Sequence, residues 1–274
     1  MGRHSAIVAA IARSMTLRFA DLADRLRQWR QAGTSLLYPP QCLQCDAELP
    51  AEASMLLCDA CQGRLATTHW EGCPRCAART ARVTWTPSGC PLCRRRECHF
   101  DGVVVLGGYQ DSLREAILRT KRPGGESWAD NLARLLARRR PAELTAFAPD
   151  AIVPVPMHWR RRLLRRMDGP QVLAERLGRE LGVACAVRAL RRRRPTRLQR
   201  DLTPDQRALN VRGAFAPGGA DLAGARVAAV DDIMTTGATA NEVAKTLKRG
   251  GAAAVLMVVA ARADGNEPGA QEPR

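Results

Sequence analysis

The run Val227-Ala228-Ala229-Val230-Asp231-Asp232-Ile233-Met234-Thr235-Thr236-Gly237-Ala238-Thr239 constrains this chain more than any other. It joins a short apolar stretch of buried-strand type to two carboxylates and a small-residue turn rich in hydroxyls, and a helix is expected over 240–249. A strand that ends in a tight loop before a helix N-terminus is a ready anion site. Backbone N–H groups, Thr hydroxyls and the positive end of the helix dipole converge there, and Gly237 lets the backbone approach closely. The adjacent acids would repel a lone phosphate but suit ribose hydroxyls. The pattern therefore points to a sugar phosphate, with Asp231 and Asp232 on the 2′ and 3′ hydroxyls and Thr235, Thr236, Gly237, Ala238 and Thr239 on the 5′-phosphate. The bland reading is an ordinary strand-to-helix turn with an acidic cap.

The surrounding pattern alternates strands with helices. Strands are expected over 103–109, 151–155, 226–230 and 253–259, and helices over 112–122, 128–140 and 171–181, the last with Leu173, Leu177 and Leu181 on one face. A β-α-β order implies a parallel sheet with right-handed crossovers, whose ligands gather at the C-terminal strand ends. The chain divides into an N-terminal helical segment (1–40, with Leu22, Leu26 and Trp29 on one face), a cysteine-rich module (41–100), the α/β domain (101–263) and a polar, disordered tail (264–274).

Nine of the ten cysteines lie between Cys42 and Cys98, and eight form C-x-x-C pairs: Cys42/Cys45, Cys58/Cys61, Cys73/Cys76 and Cys90/Cys93. Such a knuckle aims two thiolates at one metal, and two knuckles complete a tetrahedral zinc site. The separations favour consecutive pairing. Cys42, Cys45, Cys58 and Cys61 would surround one ion and Cys73, Cys76, Cys90 and Cys93 another, each set across a short hairpin, as two zinc ribbons in series. The competing readings are a disulfide framework, which wants an oxidising compartment, and a redox C-x-x-C, which wants a βαβ setting. Both zinc ions are expected to be structural, because four protein ligands leave no place for a catalytic water. Cys98 is a spare that could compete as a ligand, and Cys185 reads as core.

The formal net charge is +16, almost all of it arginine, since lysine occurs only at Lys121, Lys245 and Lys248. Residues 158–200 hold 14 Arg against 3 Asp and Glu, a net +11. That concentration suits a polyanionic partner and backbone-driven, salt-sensitive binding of single-stranded nucleic acid, although arginine runs are also common as solvated faces. No stretch reaches the roughly 18 apolar residues of a membrane span. Arg13 and Arg18 interrupt the apolar patch at 6–12, so no secretory signal is expected and the location is read as cytoplasmic.

The 227–239 run resembles the motif by which type I phosphoribosyltransferases bind phosphoribosyl pyrophosphate (PRPP): four apolar residues, two acids, then a Thr/Gly loop. Over about 42–262 the chain is similar to the competence protein F (ComF) family. The resemblance rests on the double zinc ribbon, on Pro154-Val155-Pro156-Met157-His158-Trp159-Arg160, on the spacing of Thr196, Gln199, Arg207 and Asn210, and on the PRPP motif. It implies a type I phosphoribosyltransferase-like parallel sheet flanked by helices and preceded by a small double zinc-ribbon module. It also implies a pyrophosphate loop at His158, Arg160, Arg161 and Arg162, whose guanidinium groups match phosphate oxygens, and a flexible loop carrying Arg194, Thr196, Gln199, Arg207 and Asn210.

The implied chemistry is phosphoribosyl transfer from PRPP, with Mg²⁺ bound largely through PRPP, and an association with DNA uptake in natural competence. The second reading is a non-enzymatic single-stranded DNA-binding protein, working with DNA-uptake machinery, or a PRPP-sensing regulator on the same scaffold. Two segments depart from the family pattern. Asp168-Gly169-Pro170-Gln171 stands where Gly-Phe-Asn-Gln is usual, and Lys121-Arg122-Pro123-Gly124 where Lys-Tyr-Arg-Gly is usual.

Overall fold

A computed structural model describes residues 39–66, 70–86, 88–95, 97–157, 168–196 and 203–263. The expected N-terminal helical segment, the tail, and His158, Arg160, Arg161, Arg162 and Gln199 lie outside the described residues. The chain clusters into two compact units, one ending at Cys58 and one beginning at Asp59.

In the second unit, α1 (Asp59–Leu65), a 3₁₀ turn (Arg82–Thr84) and α2 (Pro91–Arg94) precede β1 (Gly102–Gly108). Then come α3 (Asp111–Arg119), α4 (Glu126–Arg139), α5 (Pro141–Phe147), β2 (Ala151–Pro154) and α6 (Gly169–Leu181). A short pair follows, β3 (Leu190–Arg192) and β4 (Phe215–Pro217), with α7 (Pro204–Val211) between its strands. β5 (Arg226–Met234), α8 (Ala238–Arg249) and β6 (Ala254–Arg262) complete the order. The main sheet runs β1-β6-β5-β2, parallel throughout, and β3-β4 is antiparallel. The expected parallel sheet flanked by helices is present.

β5 and β6 are near-continuous apolar runs because both faces of the sheet are covered. Alternate side chains go to opposite sides. Val105, Val153, Val227, Ala229, Val255 and Met257 share a core with Val243 and Leu247 of α8. Cys73, Cys76, Cys90, Cys93 and Phe100 belong to that same core. On the other side, Val230, Val258 and Ala260 meet Leu136 of α4 and Leu173 and Leu177 of α6. Asp130 of α4 links these two helices through Arg176 of α6, and it also holds Arg134 of its own helix at 3.0 Å.

β5 and β6 both outrun the expected 226–230 and 253–259. Pairing continues through Asp231 with Val259, Ile233 with Ala261 and Met234 with Arg262. Both acids thus sit within the strand rather than in the turn after it. Two neighbouring parallel strands satisfy each other's backbone groups as far as both extend, whatever the side chains on top. The expected flexible loop of Arg194, Thr196, Gln199, Arg207 and Asn210 falls between β3 and β4, and α7 lies within it. α7 starts with a capping box, Thr203 and Gln206 each accepting the other's backbone N–H, followed by Pro204 in the first turn.

Candidate sugar-phosphate and metal sites

The strand-loop-helix forms as one continuous device. β5 delivers Asp231 and Asp232, the bend Thr235–Gly237 turns the chain, and α8 begins at Ala238 with Gly237 as its cap at φ +79°. A side chain is strained at that angle, and an added Cβ would approach Met234 Cε to 2.8 Å. Thr235, Thr236, Ala238 and Thr239 are half-buried around the first turn of a 12-residue helix. The Ala238 N–H lies 3.4 Å from Thr236 Oγ1. Beneath the loop, the buried Arg262 guanidinium donates to the carbonyls of Met234 at 2.9 Å and Ala263 at 3.2 Å, fixing the end of β5.

The two acids differ in surroundings. Burial raises the Asp231 carboxyl well above the usual range, the neighbouring Asp232 charge adds to this, and Arg192 of β3 opposes it. Asp231 Oδ1 accepts the Asp232 N–H at 2.9 Å, and Asp232 Oδ1 accepts the Ile233 N–H at 2.8 Å. Asp232 also pairs with Lys121 at 3.6 Å. Lys121 and Arg192 are site residues that residue patterns did not single out as such. One signal was available, since Lys121 is a rare lysine in an arginine-dominated chain.

The structure brings together Asp231, Asp232, Thr235, Thr236, Gly237, Ala238 and Thr239. The flexible-loop candidates are more spread. Thr196 accepts a hydrogen bond from Arg192, and Arg194 donates to the Arg212 carbonyl at 2.6 Å. Arg207 and Asn210 lie half-buried on α7. Gly213, just beyond α7, donates its N–H to Glu242 of α8 at 2.7 Å. A cavity of about 950 Å³ opens beside this region, bounded by Pro156 and Met157 after β2, Gln171 of α6, and Arg188, Arg191 and Arg192 around β3.

The cysteines form the two expected groups, Cys42/Cys45/Cys58/Cys61 and Cys73/Cys76/Cys90/Cys93, their sulfurs all within 4.8 Å of one another in each group. Individual separations are 3.7 Å for Cys45–Cys58, 3.8 Å for Cys73–Cys93 and 3.7 Å for Cys76–Cys90. Four sulfurs at about 2.3 Å from a tetrahedral zinc stand about 3.8 Å apart, so both groups fit that ion and neither is disulfide-bonded. The knuckles are built alike. Cys42 and Cys73 donate their N–H groups to the carbonyls of Ala47 and Ala78, while Asp46 and Ala77 donate back to the carbonyls of Cys42 and Cys73. Asp46 at φ +58° and Ala77 at φ +56° make the same left-handed bend. Cys98 is in neither group.

Burial would raise Cys42, but N–H donors from Cys58, Gln44 and Cys45 outweigh it and bring it down to about 6. At Cys90, donors from Cys93 and Leu92 together with the Cys76 and Cys73 thiols outweigh burial in the same way, giving about 7. Burial pushes Cys76 up to about 12, and raises Cys93 further with help from its neighbouring thiols. A ready thiolate in each group, beside sulfurs in the second that only a bound cation would ionise, is the chemistry of a metal site.

No protein-family model matches the chain. It is 31% identical over 229 residues to Competence protein F of Haemophilus influenzae, covering 81% of this chain and 97% of that protein. It is 32% identical over 215 residues to the DNA utilization protein YhgH of Escherichia coli K12, covering 73% of this chain and 93% of the relative. The YhgH of Salmonella typhi matches to the same extent. Among solved structures, a purine phosphoribosyltransferase from Pyrococcus horikoshii aligns with 54% of this chain and 94% of its own, at 20% identity and a TM-score of 0.31.

Proposed function

The chain belongs to the competence protein F family, and from that premise we propose that it binds PRPP and transfers the phosphoribosyl group to an acceptor in the service of DNA uptake. One observation carries the reading: a raised carboxyl and a second acid on one strand end, directly before a threonine-bearing turn capped by a left-handed glycine. Asp231 and Asp232 would take the ribose hydroxyls. Thr235, Thr236, Gly237, Ala238 and Thr239 would take the 5′-phosphate at the start of α8. The carboxylate oxygens of the pair suit a hard cation, and Mg²⁺ bound with PRPP would neutralise pyrophosphate charge. His158, Arg160, Arg161 and Arg162 would face the departing pyrophosphate. Arg192, already near Asp231, would join Arg194, Thr196, Gln199, Arg207 and Asn210 in closing the site. Such closure holds an oxocarbenium-like ribosyl centre away from water. A ribose hydroxyl arriving at Asp232 would compete with Lys121 for the same carboxylate.

The test is PRPP binding by calorimetry in the presence of magnesium, followed by pyrophosphate release with candidate acceptors. Asp231→Asn combined with Asp232→Asn should weaken PRPP binding at least tenfold; unchanged affinity removes the assignment.

A second reading is favoured by the net +11 over 158–200 and by Arg188, Arg191 and Arg192 beside one cavity. In it, the same face binds single-stranded DNA without turnover, or does so under control of PRPP. DNA affinity should then fall steeply with salt, with a log–log slope of several. Affinity that ignores PRPP marks a simple binder, and affinity that changes with PRPP without pyrophosphate release marks a sensor. No helix among the described residues is long and apolar enough to cross a membrane. Thiolate-held zinc suits a reducing compartment, which agrees with a cytoplasmic site of action.

A further inference from the structure

α8, the helix that follows the phosphate loop, is fastened to the second cysteine group. Asn241, in its first turn, donates its own N–H to the Gly237 carbonyl at 2.8 Å. Its side chain reaches the other way. Asn241 Oδ1 accepts the His99 N–H at 2.5 Å, and its Nδ2 donates to the Glu97 carbonyl at 2.8 Å. The same short segment is gripped from the metal side. Arg75, between Cys73 and Cys76, donates to the Cys98 carbonyl at 3.1 Å and to the Ser88 carbonyl at 3.2 Å. Residues 97–99 are thus held by a knuckle residue on one flank and by the phosphate-loop helix on the other. Apolar packing runs in parallel, since Cys73, Cys76, Cys90 and Cys93 lie in one core with Ala240, Val243 and Ala244 of α8. The far end of the helix is tied as well, through Lys248 to Asp101 at 2.9 Å.

We propose that Asn241 is a positioning residue through which the ion at Cys73/Cys76/Cys90/Cys93 sets the phosphate loop, so that sugar-phosphate binding and metal retention reinforce each other. The proposal rests on the PRPP reading above. Losing the ion frees the knuckle, Arg75 and the 97–99 segment. The Asn241 side chain then no longer has two fixed backbone partners, and the first turn of α8 loses that anchor. By linkage, whatever the ion contributes to PRPP affinity, PRPP returns to ion retention by the same factor. The Asn241 side chain reaches only the 97–99 segment in these bonds, so the group at Cys42/Cys45/Cys58/Cys61 serves as an internal control.

The experiment uses the full zinc-loaded chain and a nitrogen-donor zinc chelator that leaves magnesium in solution. Cysteine alkylation is followed residue by residue by mass spectrometry, with and without saturating PRPP and magnesium. PRPP should slow alkylation of Cys73, Cys76, Cys90 and Cys93 about fivefold or more, a usual size for coupling between sites, and leave the Cys42 group within about twofold. Asn241→Ala should abolish the selective slowing, whereas Asn241→Asp, which keeps the acceptor for His99, should restore part of it. The wild-type comparison needs no variant, so it decides the matter even if Asn241→Ala does not fold. Calorimetry separates the two modes of failure. PRPP that binds yet leaves the second group's alkylation unchanged, or slows both groups equally, overturns the coupling alone. Intact selectivity in Asn241→Ala overturns the role of Asn241. PRPP that does not bind removes both the function and the coupling.

Discussion

At the scale of single residues, the acid pair stores an electrostatic conflict. Burial and the Asp232 charge raise the Asp231 carboxyl, so its ionised form is disfavoured in the folded chain. A group raised on folding contributes stability that is complete below its unfolded value, near 3.8, and is lost as pH rises through the folded value. Asp231→Asn should therefore raise Tm at pH 7 by a few degrees, about 2–4 °C for each kcal/mol recovered, and flatten the fall in Tm that begins as pH rises above the unfolded value. The same substitution should weaken PRPP binding. A thermal series across pH that shows wild type and variant falling in parallel would remove the electrostatic account. Lys121 gives a contrasting case. Its pair with Asp232 spans 3.6 Å and both side chains are largely buried, so Lys121→Met should leave Asp232 less well compensated and lower Tm. Calorimetry on this variant reads whether the lysine also costs or favours ligand affinity.

At the scale of elements, the strand-loop-helix was legible because three signals coincide: apolar run, acids, then a glycine-bearing turn. The length of the strands was not. β5 and β6 extend each other through Asp231–Met234 and Ala260–Arg262 by mutual pairing, and no property of either segment alone announces that. β3 and β4 are three residues each, and an arginine-rich sequence masks their pairing. α7 did carry a readable sign in Thr203-Pro204-Asp205-Gln206, a capping box with proline at the first position, hidden by the charge around it. Lys121, Arg192 and Asn241 act on partners far away in sequence, Asp232, Asp231 and His99, so only the assembled sheet reveals them. Gly237 supplies the test at this scale. Placing alanine at φ +79° costs about 1–2 kcal/mol, and its Cβ presses on Met234. Gly237→Ala should lower Tm by a few degrees and weaken PRPP binding about tenfold or more. Gly250→Ala at the other end of α8, where φ is −82°, meets no such backbone strain and should leave PRPP affinity unchanged.

At the scale of the whole molecule, the two cysteine groups share a local design but not a setting. Cys45 is exposed and Cys58 partly so, whereas all four cysteines of the second group are buried. A chelator should accordingly strip the first ion before the second, giving a one-zinc species by native mass spectrometry. Loss in the reverse order, or both ions leaving together, would contradict that difference in burial. Loss of the second ion should lower the thermal stability of the α/β unit, because its ligands belong to the core that Val153 of β2, Ala229 of β5 and Leu247 of α8 also build. That shared core has a practical corollary for dissecting the protein. A fragment cut to begin at β1 would lay bare the apolar flank that Phe100 and the cysteine knuckles cover, and it should precipitate, whereas one that starts upstream of Cys73 keeps its own shield.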